Sequence, residues 1–336
     1  MPVTSPATWT SAVWRTEDFR SELRGFVADA LGEDVTLEAL KVRPWSTVWR
    51  VGSSEGTFYA KQNCPGQGHE TRLVVHLAAI APEQVVPVVA ADPARDLLLT
   101  ADLGPTVHAE GRSEDVDVWC RIVVESAQLQ QRLVPLAERL LLTRLTPEDA
   151  TTYLGDAIGR LSALPAEDPR RMDADLAERL RRLLPTVEAW ADQLADLDLP
   201  LTLNHNDLHD DNVVATDDDR PLRFFDFGDA VLTEPLGNLL VPLNVCADLY
   251  RAAPDDPRLR RVADAALEVW SDLAPMSELR AALPAALQLA RLARVESWRR
   301  CVASMTPDER GEFGAIPAGW LGSLLEDPPV GALPRM

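Results

Sequence analysis

The segment His205-Asn-Asp207-Leu-His-Asp-Asp-Asn212 spaces a histidine, a carboxylate and an amide as HxDxxxxN, and Asp226-Phe-Gly228 follows 14 residues after the asparagine. These are groups for hard-metal and proton chemistry. A hard cation such as Mg2+ takes carboxylate and amide oxygens together with substrate phosphates, and a further carboxylate can accept the hydrogen bond of an attacking hydroxyl. A loop leaving one strand would hold Asp207 toward an acceptor, turn Asn212 back toward a metal, and let Asp226 close the cage from the end of the apolar run LRFF. Taken singly, Asp207 and Asp210 are equally well read as turn caps and Asn212 as a loop residue. Turn chemistry does not demand the ordered spacing of the whole set. His205 reads as a scaffold residue bonding loop backbone.

The elements that must position these groups fall into two lobes, expected at residues 1–102 and 103–336. Helical spacing of Phe19, Leu23, Phe26, Val27 and Leu31 opens the first lobe with an amphipathic helix. Short β-branched and aromatic segments at Leu37–Val42, Thr47–Val51 and Thr57–Lys61 then predict an antiparallel meander with a turn between Gly52 and Gly56. A helix carrying Glu70, Leu73, Leu77 and Ile80 on one face follows, and VVPVVAA and DLLLTADLG read as two more strands. Beyond about residue 113 the pattern is helical, with starts at Ser113-Glu-Asp, Thr146-Pro-Glu-Asp and Thr306-Pro-Asp-Glu and long helices over 146–164 and 173–196. One strand-rich island, residues 199–227, interrupts it and carries the polar motif, with a hairpin turn expected at Asp217-Asp-Asp-Arg220. The fold class is α+β, a small antiparallel-sheet lobe before a larger, mostly helical one.

In the first lobe FYAKQN puts Lys61 on a strand, where a charge in an apolar setting needs a partner. Glu70 shares a helical face with Leu73 and Leu77, points inward and can supply it. A solvated edge lysine and a surface glutamate fit the spacing too.

The HxDxxxxN loop followed by D-F-G resembles the aminoglycoside phosphotransferase and choline kinase group, small-molecule relatives of the protein kinases, over roughly residues 35 to 300. The resemblance implies a two-lobed, protein-kinase-like fold in which Asp207 orients the acceptor hydroxyl and takes its proton, Asn212 and Asp226 bind Mg2+, and the Lys61–Glu70 pair holds the phosphates of ATP or GTP. It also implies that base contacts are backbone-borne at the hinge, with Ala101 and Leu103 as candidates. No glycine-rich loop precedes Lys61; the turn reads RPWSTVWRV, which assigns phosphate contacts to backbone N–H groups near Ser46 and Thr47 and leaves Trp45 and Trp49 as packing residues. Where the family more often has glycine, this chain has Asn206.

The implied activity is O-phosphotransfer to a small polar molecule, with an aminoglycoside or another antibiotic as acceptor. Housekeeping acceptors (an amino sugar, homoserine, choline, methylthioribose) are served by the same core motifs, and fold-level analogy does not choose among them. Candidate acceptor contacts are Asp210, Asp229, Asp248, Glu296 and Trp298, each of which a cap, a solvated surface or core packing also explains. A protein kinase is disfavoured, since neither HRD nor A-P-E is present. A pseudokinase-like binding module would have lost one of Asp207, Asn212 and Asp226, and a metal-dependent hydrolase would need neither Lys61 nor Glu70.

Composition sets the outer limits. Thirty-three Lys and Arg against 53 Asp and Glu give a net charge of −20, which repels nucleic acid and anionic membranes. The four cysteines are widely separated and form no CxxC pair, and no apolar stretch reaches membrane-spanning length. Nor does the start of the chain show a basic and then apolar leader. A cytoplasmic protein is expected.

Overall fold

This computed structural model describes residues 9–215 and 220–331. Asp217, Asp218 and Asp219 of the expected hairpin turn lie outside them. In chain order the elements of the first half are α1 (Glu17–Leu31), β1 (Thr36–Val42), β2 (Ser46–Ser53), β3 (Gly56–Asn63), α2 (Glu70–Ile80), β4 (Val88–Asp92), β5 (Leu97–Ala101), α3 (Val116–Leu133) and α4 (Ala150–Ser162). The second half holds α5 (Ala174–Ala195), β6 (Thr202–Asn204), β7 (Val213–Val214), β8 (Arg223–Phe224), β9 (Val231–Thr233), α6 (Leu240–Tyr250), α7 (Pro257–Val269), α8 (Met276–Ala303), α9 (Pro307–Phe313) and α10 (Ile316–Ser323). Contacts divide them into two compact units.

The first unit joins Met1–Gly104 to Arg223–Gly228 and Ser297–Gly314. Period-two alternation makes its strands: β2 sends Thr47, Trp49 and Val51 inward and leaves Arg50 outside. The antiparallel meander β1-β2-β3 continues through β5 to β4, a five-stranded sheet in the order β1-β2-β3-β5-β4. α1 covers it with Phe19, Leu23 and Val27, which pack with Trp14, Trp49 and Leu99 in one core. Its N-cap Thr16 accepts the Phe19 N–H, and Gly32, at φ 70°, closes it in the left-handed conformation that glycine tolerates. Two later stretches complete this unit. Phe224 N–H donates to Gln84 O at 2.8 Å and Val86 N–H to Phe224 O at 3.2 Å, so the run leading to Asp226 is held by the loop after α2. The end of α8 and α9 packs on the loop before β2, where Trp45 meets Trp298 and Phe313 edge to face, centroids 5.3 and 5.2 Å apart. A capping box at Thr306 and Glu309 starts α9 as its sequence predicts.

The second unit, Pro105–Leu222 with Asp229–Glu296 and Ala315–Met336, is mainly helical. α3 turns Val118, Trp119, Ile122, Val123, Ala127 and Leu133 inward, with Leu259, Val262, Ala263 and Ala266 of α7 packed opposite. The caps Asp115 and Asp173 each accept backbone N–H bonds at the starts of α3 and α5, worth about 1 kcal/mol apiece. One strand escapes the sequence reading: Val231–Thr233 forms β9, antiparallel to β6. Three residues are too few for alternation to show. Glu234, buried beyond it, accepts the N–H groups of Leu236 and Gly237 at 2.6 and 2.9 Å, capping the turn that enters α6.

Candidate active site

In the first unit Lys61 stands on β3, paired across the sheet with Val48 and Leu98. Its Nζ lies 2.6 Å from Glu70 Oε2 and 2.6 Å from Asp226 Oδ1. Glu70, the first residue of α2, is 1% exposed, and its carboxylate collects further donors: Asn63 Nδ2 at 2.7 Å and Phe227 N–H at 2.9 Å. Burial opposes the lysine's charge, but Asp226 and Glu70 outweigh it and raise its pKa, so the ammonium persists at any physiological pH. Burial pushes the Glu70 carboxyl up to about 7, against the pull of Lys61 and of its other two donors, which bind the anionic form. Behind this pair stands Asp96, at φ 51°, accepting from the backbone and side chain of Asn63 at 3.1 and 3.0 Å and from Thr71 N–H at 3.1 Å.

The D-F-G is clamped from α2. Glu70 takes the Phe227 N–H while the neighbouring His69 ring bonds the Phe227 backbone, and burial, then Arg300, lower that histidine to about 3, keeping it neutral. Asp226 itself has φ 64° and a side chain 47% exposed. Of the expected phosphate contacts, Thr47 pairs on one side with Val42 and on the other with Gln62, its side chain buried, and Ser46 faces Asn63 across the sheet. At the end of β5 the Ala101 N–H is donated to Pro87 O at 3.2 Å, and Leu103 is half-buried just beyond.

In the second unit β6 leads straight into the catalytic-type loop. His205 is buried and its backbone N–H donates to Asn238 Oδ1 at 3.0 Å. Asn206 has φ 63°, in the left-handed region that glycine enters most readily. Asparagine is the next most tolerant residue there, and its Nδ2 adds bonds to Asp229 O at 3.1 Å and Ala293 O at 3.0 Å. Asp207 follows with Oδ1 3.0 Å from Arg294 Nη1 and Oδ2 3.5 Å from His209 Nε2. Burial would raise its carboxyl, but Arg294 above all, then His209 and His205, hold it well below the ordinary carboxylate range. Asn212 closes the loop, its Nδ2 donating to Asp207 O at 2.9 Å.

The acceptor candidates separate. Asp229 joins the Asp207 cluster, its Oδ2 3.6 Å from Arg294. Asp210 is instead tied to Ser113 Oγ and to His108 Nδ1, the latter at 3.1 Å, and pins the 106–113 segment to the loop. Asp248 is exposed on α6, and Glu296, 3% exposed, accepts the Tyr153 hydroxyl at 3.0 Å. Trp298 lies in the first unit against Trp45 and Phe313, where the core reading accounts for it. Sequence reasoning missed Arg294, Asn63 and Asp96. The signal for Arg294 was a cation within LQLARLARVES, a helical stretch otherwise apolar enough to be buried. Asp96 was hidden in an ordinary-looking turn.

The description of a phosphotransferase enzyme family matches residues 44–279, well over half the chain. The chain belongs to that family. As a small-molecule phosphotransferase it shares its fold with solved kinases of low sequence identity. An ethanolamine kinase from Plasmodium vivax is 10% identical with a TM-score of 0.60, the match covering 87% of this chain and 81% of that one. A macrolide 2'-phosphotransferase from Brachybacterium faecium is 16% identical with a TM-score of 0.56, over 93% and 99% of the two chains. An amicoumacin kinase in complex with AMP-PNP, Ca2+ and Ami is 13% identical with a TM-score of 0.55, over 95% and 98%. No curated protein sequence matches this phosphotransferase.

Proposed function

We propose that this phosphotransferase moves the terminal phosphoryl group of ATP or GTP, with Mg2+, onto a hydroxyl of an aminoglycoside or another antibiotic, in the cytoplasm. The observation that carries the reading is the lysine ammonium 2.6 Å from both Glu70 and the D-F-G aspartate, a fixed positive point of the kind that steadies nucleotide phosphates. Asp207 is the hydroxyl's partner. With Oδ1 occupied by Arg294, its Oδ2 edge accepts the hydrogen bond of the acceptor O–H and aims the oxygen at phosphorus. The acceptor oxygen forms the new P–O bond as the bond to the bridging oxygen of the nucleoside diphosphate breaks. A carboxylate held so far below its ordinary range orients the hydroxyl in the main, taking the proton only late.

Bound magnesium would neutralise the phosphate oxygens. The half-exposed Asp226 carboxylate and, by the family's pattern, the Asn212 amide are hard oxygen donors that suit it. The amicoumacin kinase with AMP-PNP and Ca2+ bound supports a nucleotide with a divalent cation, and the macrolide phosphotransferase supports an antibiotic acceptor. The ethanolamine kinase favours one alternative, a small amino alcohol of metabolism.

The test is a mass-spectrometric screen of the purified protein with Mg·ATP and Mg·GTP against aminoglycosides, macrolides, nucleoside and peptide antibiotics, amino sugars, choline, ethanolamine and homoserine, with Asp207→Ala as control. A mass gain of one phosphate on an antibiotic, absent with Asp207→Ala, is the expected result. Phosphate on ethanolamine or choline alone would replace the antibiotic reading with the metabolic one. Full turnover by Asp207→Ala would remove Asp207 from the chemistry.

A further inference from the structure

α8 presents one cation to the catalytic-type loop, and that cation touches four parts of the second unit. Arg294 Nη1 donates to Asn206 O, lies 3.0 Å from Asp207 Oδ1 and 3.6 Å from Asp229 Oδ2, and the guanidinium sits over the Trp320 ring, 5.4 Å from its centroid. The side chain is only 9% exposed. A buried charge needs partners, and here it has two carboxylates, a carbonyl and an aromatic face.

We infer that Arg294 is the positioning residue of this phosphotransferase: it fixes the Asp207 carboxylate by its Oδ1 edge and turns the Oδ2 edge, 3.5 Å from His209 Nε2, to the acceptor hydroxyl. This inference rests on the reading of Asp207 given above. The geometry explains why one cation must do both jobs. The strained backbone at Asn206, φ 63°, is adjacent to Asp207, so the loop carbonyl and the carboxylate have to be held together if the side chain is to keep one direction. A planar fork with fixed N–H directions does this, and an ammonium, a point charge, does it less well. Arg294 also neutralises one of two carboxylates that would otherwise repel across the loop, since Asp207 and Asp229 both lie within 4 Å of the same nitrogen.

The experiment has one arm that does not depend on activity. Urea unfolding is compared for wild type, Arg294→Gln, Arg294→Lys, Asp207→Asn and the double variant Asp207→Asn/Arg294→Gln. Release of inorganic phosphate from Mg·ATP, with water as acceptor, is measured for wild type and the two Arg294 variants. Arg294→Gln should lower the urea midpoint, and adding Asp207→Asn should restore part of it, because one of the two stranded carboxylates is then gone. Phosphate release should fall on the order of 100-fold in Arg294→Gln, with KM for Mg·ATP within about twofold, and Arg294→Lys should recover part of it. A midpoint loss of the same size with and without Asp207→Asn would overturn the pairing. Phosphate release by folded Arg294→Gln within about twofold of wild type would overturn the positioning role. If wild type releases no phosphate, the site excludes water as an acceptor; the acceptor screen then tests the phosphotransfer reading, and the unfolding cycle decides whether Arg294 holds Asp207.

Discussion

At the scale of single residues, two largely buried cations each stand in a set. Lys61 reaches Glu70 and Asp226, and Arg294 reaches Asp207 and Asp229, so each cation answers two carboxylates. Removing one member of such a set leaves the others unpaired, which for a buried pair costs about 3–5 kcal/mol. Lys61→Met should therefore lower the urea midpoint sharply, and Glu70→Gln in the same chain should return part of the loss; an unchanged midpoint in Lys61→Met would mean that solvent already compensates Glu70. The inward Glu70 was legible because a carboxylate on the Leu73–Leu77 face has nowhere else to point. That Asp226 shares the lysine was not legible, because their pairing joins positions 165 residues apart and leaves no local periodicity. Asn206 lies between these cases. Its departure from glycine is visible in the sequence, while its φ of 63° and two side-chain bonds are tertiary facts.

At the scale of elements, helices and the meander were read closely because each has its own period and its own caps, as α1, α5 and the Thr306 capping box illustrate. The two- and three-residue strands around the catalytic-type loop have no period to read. Two glycines make a contrast that tests local packing. A Cβ on Gly66 would lie 2.1 Å from the Arg300 carbonyl oxygen, backbone that cannot turn away, whereas one on Gly155 in α4 meets nothing within 4 Å. Gly66→Ala should destabilise by about 3 kcal/mol, and Gly155→Ala should stabilise by about 0.5–1 kcal/mol, both read from urea midpoints. A tolerated Gly66→Ala would show that the end of α8 can retreat from that turn. Glu234, the cap entering α6, gives a pH signature. Burial raises its carboxyl from 4.5 to about 7 against the pull of the two N–H groups it accepts. The folded state therefore holds the proton where the unfolded chain has released it, so this contribution is full below about pH 4.5 and is lost as pH rises through about 7. Glu234→Gln should flatten that part of the melting-temperature profile and gain most relative to wild type at pH 8; a parallel profile in the variant would place the titration elsewhere.

At the scale of the molecule, a net charge of −20 makes self-repulsion the leading long-range term. Raising NaCl from about 10 mM to about 150 mM shortens the screening length from roughly 30 Å to roughly 8 Å. The melting temperature should rise by a few degrees over that interval, and a fall would mean that surface ion pairs outweigh the repulsion. Among the described residues no helix is long and apolar enough to cross a membrane. What no local pattern in the sequence could disclose is that the first unit is assembled from three separated stretches, the last ending at Gly314. The polar scaffold around Lys61 needs Asp226 and Phe227, and the loop before β2 needs Trp298 and Phe313. On a ribosome adding roughly 5–20 residues each second, the stretch from Gly104 to Gly314 takes roughly 10–40 s to appear. During that interval the sheet has emerged without the segments that complete its unit, so nascent chains stalled before the end of α8 should be the ones that chaperones hold.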